Sequence, residues 1–232
     1  QSLSTFVERL ITRANARGYT LIAGMPYKQA TPEGKRYFNS QWVSQTDTTE
    51  PSFYFKQHLV PFGEYVPFET LLRGLIGFFD LPSSHFSAGS KSQPQQFAAN
   101  TPITMYICYE VAFPDLVARS AKTANVLFTA SNDSWFGHSI GPKQHYQIAA
   151  TRALENGKPM VRVTNNGVTG FIDHKGRTTA SIASFERNEI QAQVQPMTGT
   201  TPFSRFGSRP IVLLCLLIVS IGFLQRFKSK NP

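Results

Sequence analysis

The chain has 232 residues, with 23 Lys and Arg against 14 Asp and Glu, a formal net charge of +9 and two cysteines. That length admits one large domain with a substantial core, and the ordinary charge content excludes a disordered or fibrous chain. The surplus charge gathers late: no acid follows Glu189, and Arg205, Arg209, Arg226, Lys228 and Lys230 trail behind it, which favours lipid headgroups over nucleic acid as the partner.

Leu3, Phe6, Val7, Leu10, Ile11 and Ala14 recur at helical spacing, and Gly18 stops the pattern. Residues 19–24 then read as a short buried strand. Strands are predicted at 36–43 and 52–56, separated by a polar turn at 45–50. An irregular stretch, 57–67, precedes a strongly apolar run, 71–79, and a polar loop, 83–96. A strand ending at Cys108 follows, then a helix near 114–122 and a strand at 125–131. The loop 132–142 leads into a helix at 143–156, and strands are predicted at 160–164, 169–173, 178–182 and 189–195. Early alternation of helix and strand followed by late strands indicates an α/β layered sandwich with mixed sheets.

Residues 211–224 carry no charge and are almost wholly apolar. As a helix they cover about 20 Å, short of the roughly 30 Å hydrocarbon core. Flanking Arg209, Arg226, Lys228 and Lys230 snorkel outward, and Phe203, Phe206 and Phe227 extend the apolar length. Residues 203–232 are therefore expected to form a C-terminal transmembrane helix, with 1–202 as one domain ahead of it. The trailing basic cluster places the C-terminus in the cytoplasm and the domain across the membrane. The sequence begins at Gln1 in helical character, which reads as a piece of something longer.

Cys108 ends an apolar run at the tip of a predicted strand, just before a turn into a helix, a place where α/β enzymes present a nucleophile. The alternative is a small buried hydrophobe. Lys56 closes the aromatic strand 53–55 and can serve as a fixed cation beside an oxyanion, or as a solvated lysine. Glu64 lies in a loop stiffened by Pro61 and Pro67, and Glu110 lies two residues past the thiol. Each is either aimed at the site or an ordinary acid. His58 and His145 offer a Cys–His dyad, although no local signature of such enzymes surrounds them. No spacing suggests a metal, a nucleotide loop or any cofactor. The apolar residues Phe62, Phe78, Phe79, Trp135 and Phe136 are candidates for a lipid-binding lid, or for local core.

Several stretches resemble the nitrilase (carbon–nitrogen hydrolase) superfamily, and within it the apolipoprotein N-acyltransferase family. They are FKQHLVPFGEYVP at 55–67, ICYE at 107–110, SNDSWFG at 131–137, ALENGKP at 153–159 and TNNGVT at 164–169. The resemblance implies a nitrilase-like αββα sandwich with a Glu–Lys–Cys site. Cys108 would be the nucleophile and Lys56 the oxyanion cation, with the Tyr109 backbone N–H as second donor. Glu64 would be a further important acid, and Tyr109 and Glu110 would support the nucleophile. It further implies a bacterial inner-membrane enzyme with a periplasmic catalytic domain. Such an enzyme takes an sn-1 acyl chain from a phosphatidylethanolamine-like phospholipid, holds it as a thioester and passes it to the α-amine of a diacylglyceryl apolipoprotein. The glutamate base of the family precedes the helix matching 3–14, so these residues alone are expected to be inactive. A membrane-tethered amidase and a non-catalytic lipid- or lipoprotein-binding module remain the rivals.

Overall fold

A computed structural model describes residues 3–32, 34–44, 51–67 and 86–230. The predicted turn at 45–50 and the apolar run at 71–79, with Phe78 and Phe79, lie outside them. Helix α1 (Leu3–Ala16) opens the chain, followed by an antiparallel sheet of β1 (Leu21–Thr31), β2 (Gly34–Ser44) and β3 (Ser52–Phe55) in that order. The second sheet runs β4 (Gln96–Ala98), β5 (Thr101–Ile107), β6 (Val126–Ser131), β7 (Met160–Thr164), β8 (Thr169–Ile172) and β9 (Thr178–Ile182). Its central strands β5, β6 and β7 are parallel and its outer pairs antiparallel, so the sheet is mixed, as expected.

Alternation along β5 builds two cores from one strand. Met105 and Ile107 join Ile103, Val126 and Phe128 against Val43 and Tyr54 of the small sheet. Tyr106 turns the other way, onto Leu127, Met160 and Ile172 beneath helices α2 (Pro114–Ser120) and α3 (Gly141–Asn156). Each fully buried side chain of this kind contributes roughly 1.5–3 kcal/mol. Helix α1 is linked to the small sheet by the Ser44 hydroxyl donating to Asn15 Oδ1 (3.4 Å), and its Phe6 is 53% exposed.

Three elements depart from expectation. β1 is longer than predicted and only half buried, because it is the outer strand of its sheet and pairs along its whole length with β2. β4 was not predicted: it starts at the last residue of the expected loop, 83–96, and runs on to Ala98. It closes on β5 through Ala99 and Asn100, both at positive φ (47° and 64°), a two-residue turn that alanine does not advertise. Residues 189–195 form no strand. Val194 leans on the core, and just beyond the segment the Met197 N–H donates to the Asn125 carbonyl (3.0 Å) while its carbonyl accepts from buried Lys158 (2.6 Å), so scattered contacts rather than a ladder hold the chain here.

After the sheets come α4 (Pro202–Phe206), capped by Thr201, and α5 (Arg209–Lys230). The Ser208 N–H donates to Asp115 (2.8 Å), tying the start of α5 to the helix layer. Ile211, Leu213, Leu214, Leu217 and Val219 are all at least half exposed, so the described part of the domain leaves the apolar side chains of α5 uncovered. The expected span at 203–232 is met only as a helix: among the described residues, no helix is long and apolar enough to cross a membrane. The described apolar side chains end at Phe223, and 211–223 amounts to about 20 Å of helix.

Candidate active site

The carboxyl ends of β5, β6 and β7 converge on one edge of the large sheet, where open α/β sheets place their ligands. Cys108 follows β5, Asn132 and Asp133 follow β6, and Asn165 follows β7. The small sheet faces them with the end of β3, from which Lys56 projects. Between the two lies a cavity of about 980 Å³ lined by Lys56, Glu64, Cys108 and Tyr109. Ile22, Val60, Phe86, Ile107, Phe128 and Val163 make most of its wall apolar.

Cys108 has a φ of 53°, in the left-handed region that costs a non-glycine residue about 1–2 kcal/mol. The strand thus breaks at the thiol, and the chain turns straight into a short 3₁₀ helix, Cys108–Ala112. Cys108 is partly accessible, and no disulfide engages it.

Lys56 is 1% exposed, and its Nζ lies 2.7 Å from Glu64 Oε2. The same oxygen accepts from the Val60 N–H (2.7 Å) and Oε1 accepts from Asn39 Nδ2 (2.8 Å). Glu64 therefore fixes both the ammonium and its own loop. A second brace is Gly89, whose N–H donates to the Lys56 carbonyl (2.7 Å). A Cβ there would meet the Phe55 carbonyl oxygen at 2.4 Å, so only glycine lets the two backbones approach this closely.

Glu110 is wholly buried and does not line the cavity. Its Oε1 accepts from the N–H groups of Gln57 (2.7 Å) and His58 (3.1 Å), and its Oε2 from the Ile107 N–H (2.8 Å). The Tyr54 hydroxyl donates to both oxygens. Burial pushes this carboxyl up, and those four donors hold it partly down. Its role is mechanical: it bolts the backbone after Lys56 to the backbone before Cys108.

Neither candidate Cys–His dyad is seen among the described residues, in keeping with the absence of a local signature. The His58 ring packs on Phe113 (centroids 3.6 Å apart), and burial and the Lys56 charge push its pKa down. His145 meets the backbone carbonyl of Cys108, not its sulfur (Nε2 to O, 3.1 Å). Trp135 and Phe136 sit in the 3₁₀ turn Asp133–Phe136, capped by Asn132, and line the cavity with Phe62; Trp135 is 84% exposed. Among the described residues, no group of three His, Cys, Asp or Glu side chains is placed to hold a metal ion.

Sequence reasoning missed a buried cluster behind the thiol. Asp133 Oδ1 accepts from the Ser131 hydroxyl (2.6 Å) and lies 2.9 Å from His145 Nδ1, while Oδ2 accepts from Arg162 Nη2 (2.7 Å). Arg162 and Asp133 are wholly buried. A charge within the apolar strand 160–164 was the available signal, since arginine is almost never fully buried unpaired. Burial alone would raise the Asp133 carboxyl, but the His145 hydrogen bond, the Arg162 charge and the Ser131 hydrogen bond outweigh it and hold the group below its ordinary range. The native state then binds this proton less tightly than the unfolded chain. Its stabilising contribution is present above pH about 4 and lost as pH falls through the lowered value. Chemical unfolding at pH 2–5 checks this: Asp133→Asn should flatten the acid limb of stability, and an unchanged slope would contradict it.

Comparison with known proteins gives the family and the fold. A family model for carbon–nitrogen hydrolases matches residues 1–203. An apolipoprotein N-acyltransferase of Pseudomonas syringae is 47% identical over 217 residues, which are 93% of this chain and 42% of that protein. That of Azotobacter vinelandii is 45% identical over 92% of this chain and 41% of its own length. The chain thus spans about two-fifths of the curated relatives it matches. Among solved structures, a carbon–nitrogen hydrolase from Helicobacter pylori superposes with a TM-score of 0.58 at 16% identity, covering 80% of this chain and 67% of that one. Nit3 of Saccharomyces cerevisiae, of the nitrilase superfamily, gives 0.56 at 20% identity, covering 79% and 62%. These two likenesses establish the sandwich fold alone.

Proposed function

The chain belongs to the carbon–nitrogen hydrolase family, and from that premise we propose that it carries the thiol site of an apolipoprotein N-acyltransferase. In this reading it moves a phospholipid sn-1 acyl chain, through a Cys108 thioester, to the α-amine of a diacylglyceryl-cysteine. The observation that carries the proposal is a thiol at a strained strand tip facing a large apolar-lined cavity beside a buried, pre-paired ammonium. The names of the relatives at 45–47% identity support it. So does α5, whose uncovered apolar faces suit a hydrocarbon surround. We read α5 as the anchor to the bacterial inner membrane, with the domain periplasmic and the basic tail cytoplasmic.

The chemistry runs in two balanced halves. Cys108 loses its proton, and Sγ attacks the ester carbonyl carbon. The oxyanion that forms meets the Lys56 ammonium, with the Tyr109 N–H as second donor. Collapse breaks the C–O bond, and the leaving alkoxide takes a proton as lysophospholipid departs. The amine nitrogen then attacks the thioester and gives up a proton, and breaking of the C–S bond returns the thiolate with an N-acyl amide as product. The apolar wall keeps water from competing with the amine.

Neither nearby carboxylate is free to act as base: Glu64 is engaged by Lys56, Asn39 and Val60, and Glu110 by its four donors. In this reading the proton goes to the glutamate base that the family resemblance places ahead of the helix matching 3–14. The 232 residues expressed alone are accordingly expected to give no turnover, and robust acyl transfer from them would contradict this.

Replacing Lys56 by methionine in the intact protein should lower kcat by about 10²–10³ with little change in KM, because the cation acts on charge that develops only in the transition state. Initial rates over a range of donor concentrations check it; a loss confined to KM would assign Lys56 to binding. The function itself is tested by reconstituting the intact protein with phosphatidylethanolamine and a diacylglyceryl-cysteine peptide. An amide-linked acyl group on the peptide supports the reading. Ammonia release from amides without acyl transfer would mark a membrane-tethered amidase, and neither activity would leave a binding module.

A further inference from the structure

We infer that His145 is a positioning residue for the nucleophile: by donating from Nε2 to the carbonyl of Cys108, it holds the left-handed backbone turn that aims the sulfur. The inference rests on Cys108 being the nucleophile.

A residue at a φ of 53° stays there only if its surroundings over-determine it. On the amide side of Cys108, Glu110 grips the preceding Ile107 N–H (2.8 Å). On the carbonyl side, the side-chain partner is His145, 3.1 Å away and 6% exposed. The strained residue is thus clamped from both flanks by buried side chains.

The direction of the His145 hydrogen bond follows from its neighbours. A carbonyl oxygen only accepts, so a favourable contact needs a hydrogen on Nε2. At Nδ1 the ring meets Asp133 Oδ1 at 2.9 Å and Arg162 Nη2 at 3.2 Å. Both facing oxygens only accept, so Nδ1 donates to the Asp133 carboxylate and Nε2 donates to the Cys108 carbonyl.

The ring is itself held by parts from three elements. Asp133 follows β6, Arg162 is in the middle of β7 and His145 lies on α3. Gly167 closes the site over Asp133; a Cβ there would stand 2.2 Å from Asp133 Oδ2. The SND, GPKQH and TNNG segments, otherwise unconnected in sequence, converge on this one support.

Two variants separate positioning from bulk stability. In His145→Asn the shorter amide stays beside Asp133 but falls short of the Cys108 carbonyl; in His145→Gln an N–H reaches the Nε2 position. Acylation of Cys108 by phosphatidylethanolamine micelles is followed by mass spectrometry in a single turnover of the intact protein, alongside KM and the thermal midpoint. Displacing a reacting atom by about 1 Å costs roughly 10²-fold, so His145→Asn should acylate about 10²-fold more slowly at nearly unchanged KM and midpoint. His145→Gln should recover most of the rate. Wild-type acylation in His145→Asn, equal slowing in both variants, or rate losses that merely track a fallen midpoint would overturn the inference. Should His145→Asn fail to fold, near-wild-type acylation in His145→Gln supports it, and a hundredfold loss in a folded His145→Gln overturns it. If the wild-type protein gains no adduct, the nucleophile reading fails and takes this inference with it; slow variants of an acylating wild type leave that reading intact.

Discussion

Cys108→Ala in the intact protein is expected to reduce acyl transfer to background, a loss of at least about 10⁴-fold, because no other group can carry the acyl chain between donor and acceptor. Cys108→Ser should be nearly as inactive, since a hydroxyl is a far weaker nucleophile than a thiolate at neutral pH. The fold should survive both, for the side chain is small and partly accessible, packing against the buried core without being one of its fully buried members. The strain at this position adds an independent check. Glycine tolerates a φ of 53° without penalty, so Cys108→Gly should unfold at higher denaturant than Cys108→Ala, by about 1 kcal/mol. Transfer by Cys108→Ala within tenfold of wild type would remove the covalent mechanism. Equal stability of the alanine and glycine variants would remove the strain.

The second large effect belongs to Glu110, through stability as well as rate. Glu110→Ala would leave the N–H groups of Ile107, Gln57 and His58 and the Tyr54 hydroxyl without their acceptor in a dry interior. Stranding such donors costs several kcal/mol, roughly 3–5 in total, which lowers the thermal midpoint of a domain this size by about 10 °C. Glu110→Gln, although isosteric, should be nearly as damaging, because both carboxylate oxygens accept and an amide must turn its NH₂ toward one set of donors. Calorimetry on the two variants checks this, and a Glu110→Gln midpoint within about 2 °C of wild type would contradict the bolt described here. Activity should fall with stability and remain low below the midpoint, since the same carboxylate sets Lys56 and Cys108 in register.

The legible parts of the site were those whose logic is local. Cys108 ends an apolar strand, Lys56 ends an aromatic one, and Glu64 lies between prolines; each stands out from its own neighbours, and the structure brings all three to one cavity. Glu110 sits close to Cys108 in sequence, yet its work is done on Gln57 and His58, a contact no local pattern predicts. The Asp133–His145–Arg162 cluster was illegible for the same reason, since its members meet only when β6, β7 and α3 are assembled. His145 appeared as a dyad candidate because a histidine and a cysteine invite that pairing; the fold directs its ring to the backbone instead. The fold followed a similar division. Buried central strands such as β5 and β6 announce themselves by continuous apolar runs, whereas β4 depends on β5 beside it. Residues 189–195 alternate like a strand but find no ladder partner, and alternation alone cannot show that.

The most direct test of the account is the intact mass of the protein after exposure to phosphatidylethanolamine of defined chain length, without an acceptor. The account predicts a gain of one acyl group less one hydrogen, localised to the peptide bearing Cys108 and released by neutral hydroxylamine, as a thioester is. An unmodified wild-type protein that still transfers acyl chains, or an adduct that persists in Cys108→Ala, would contradict it.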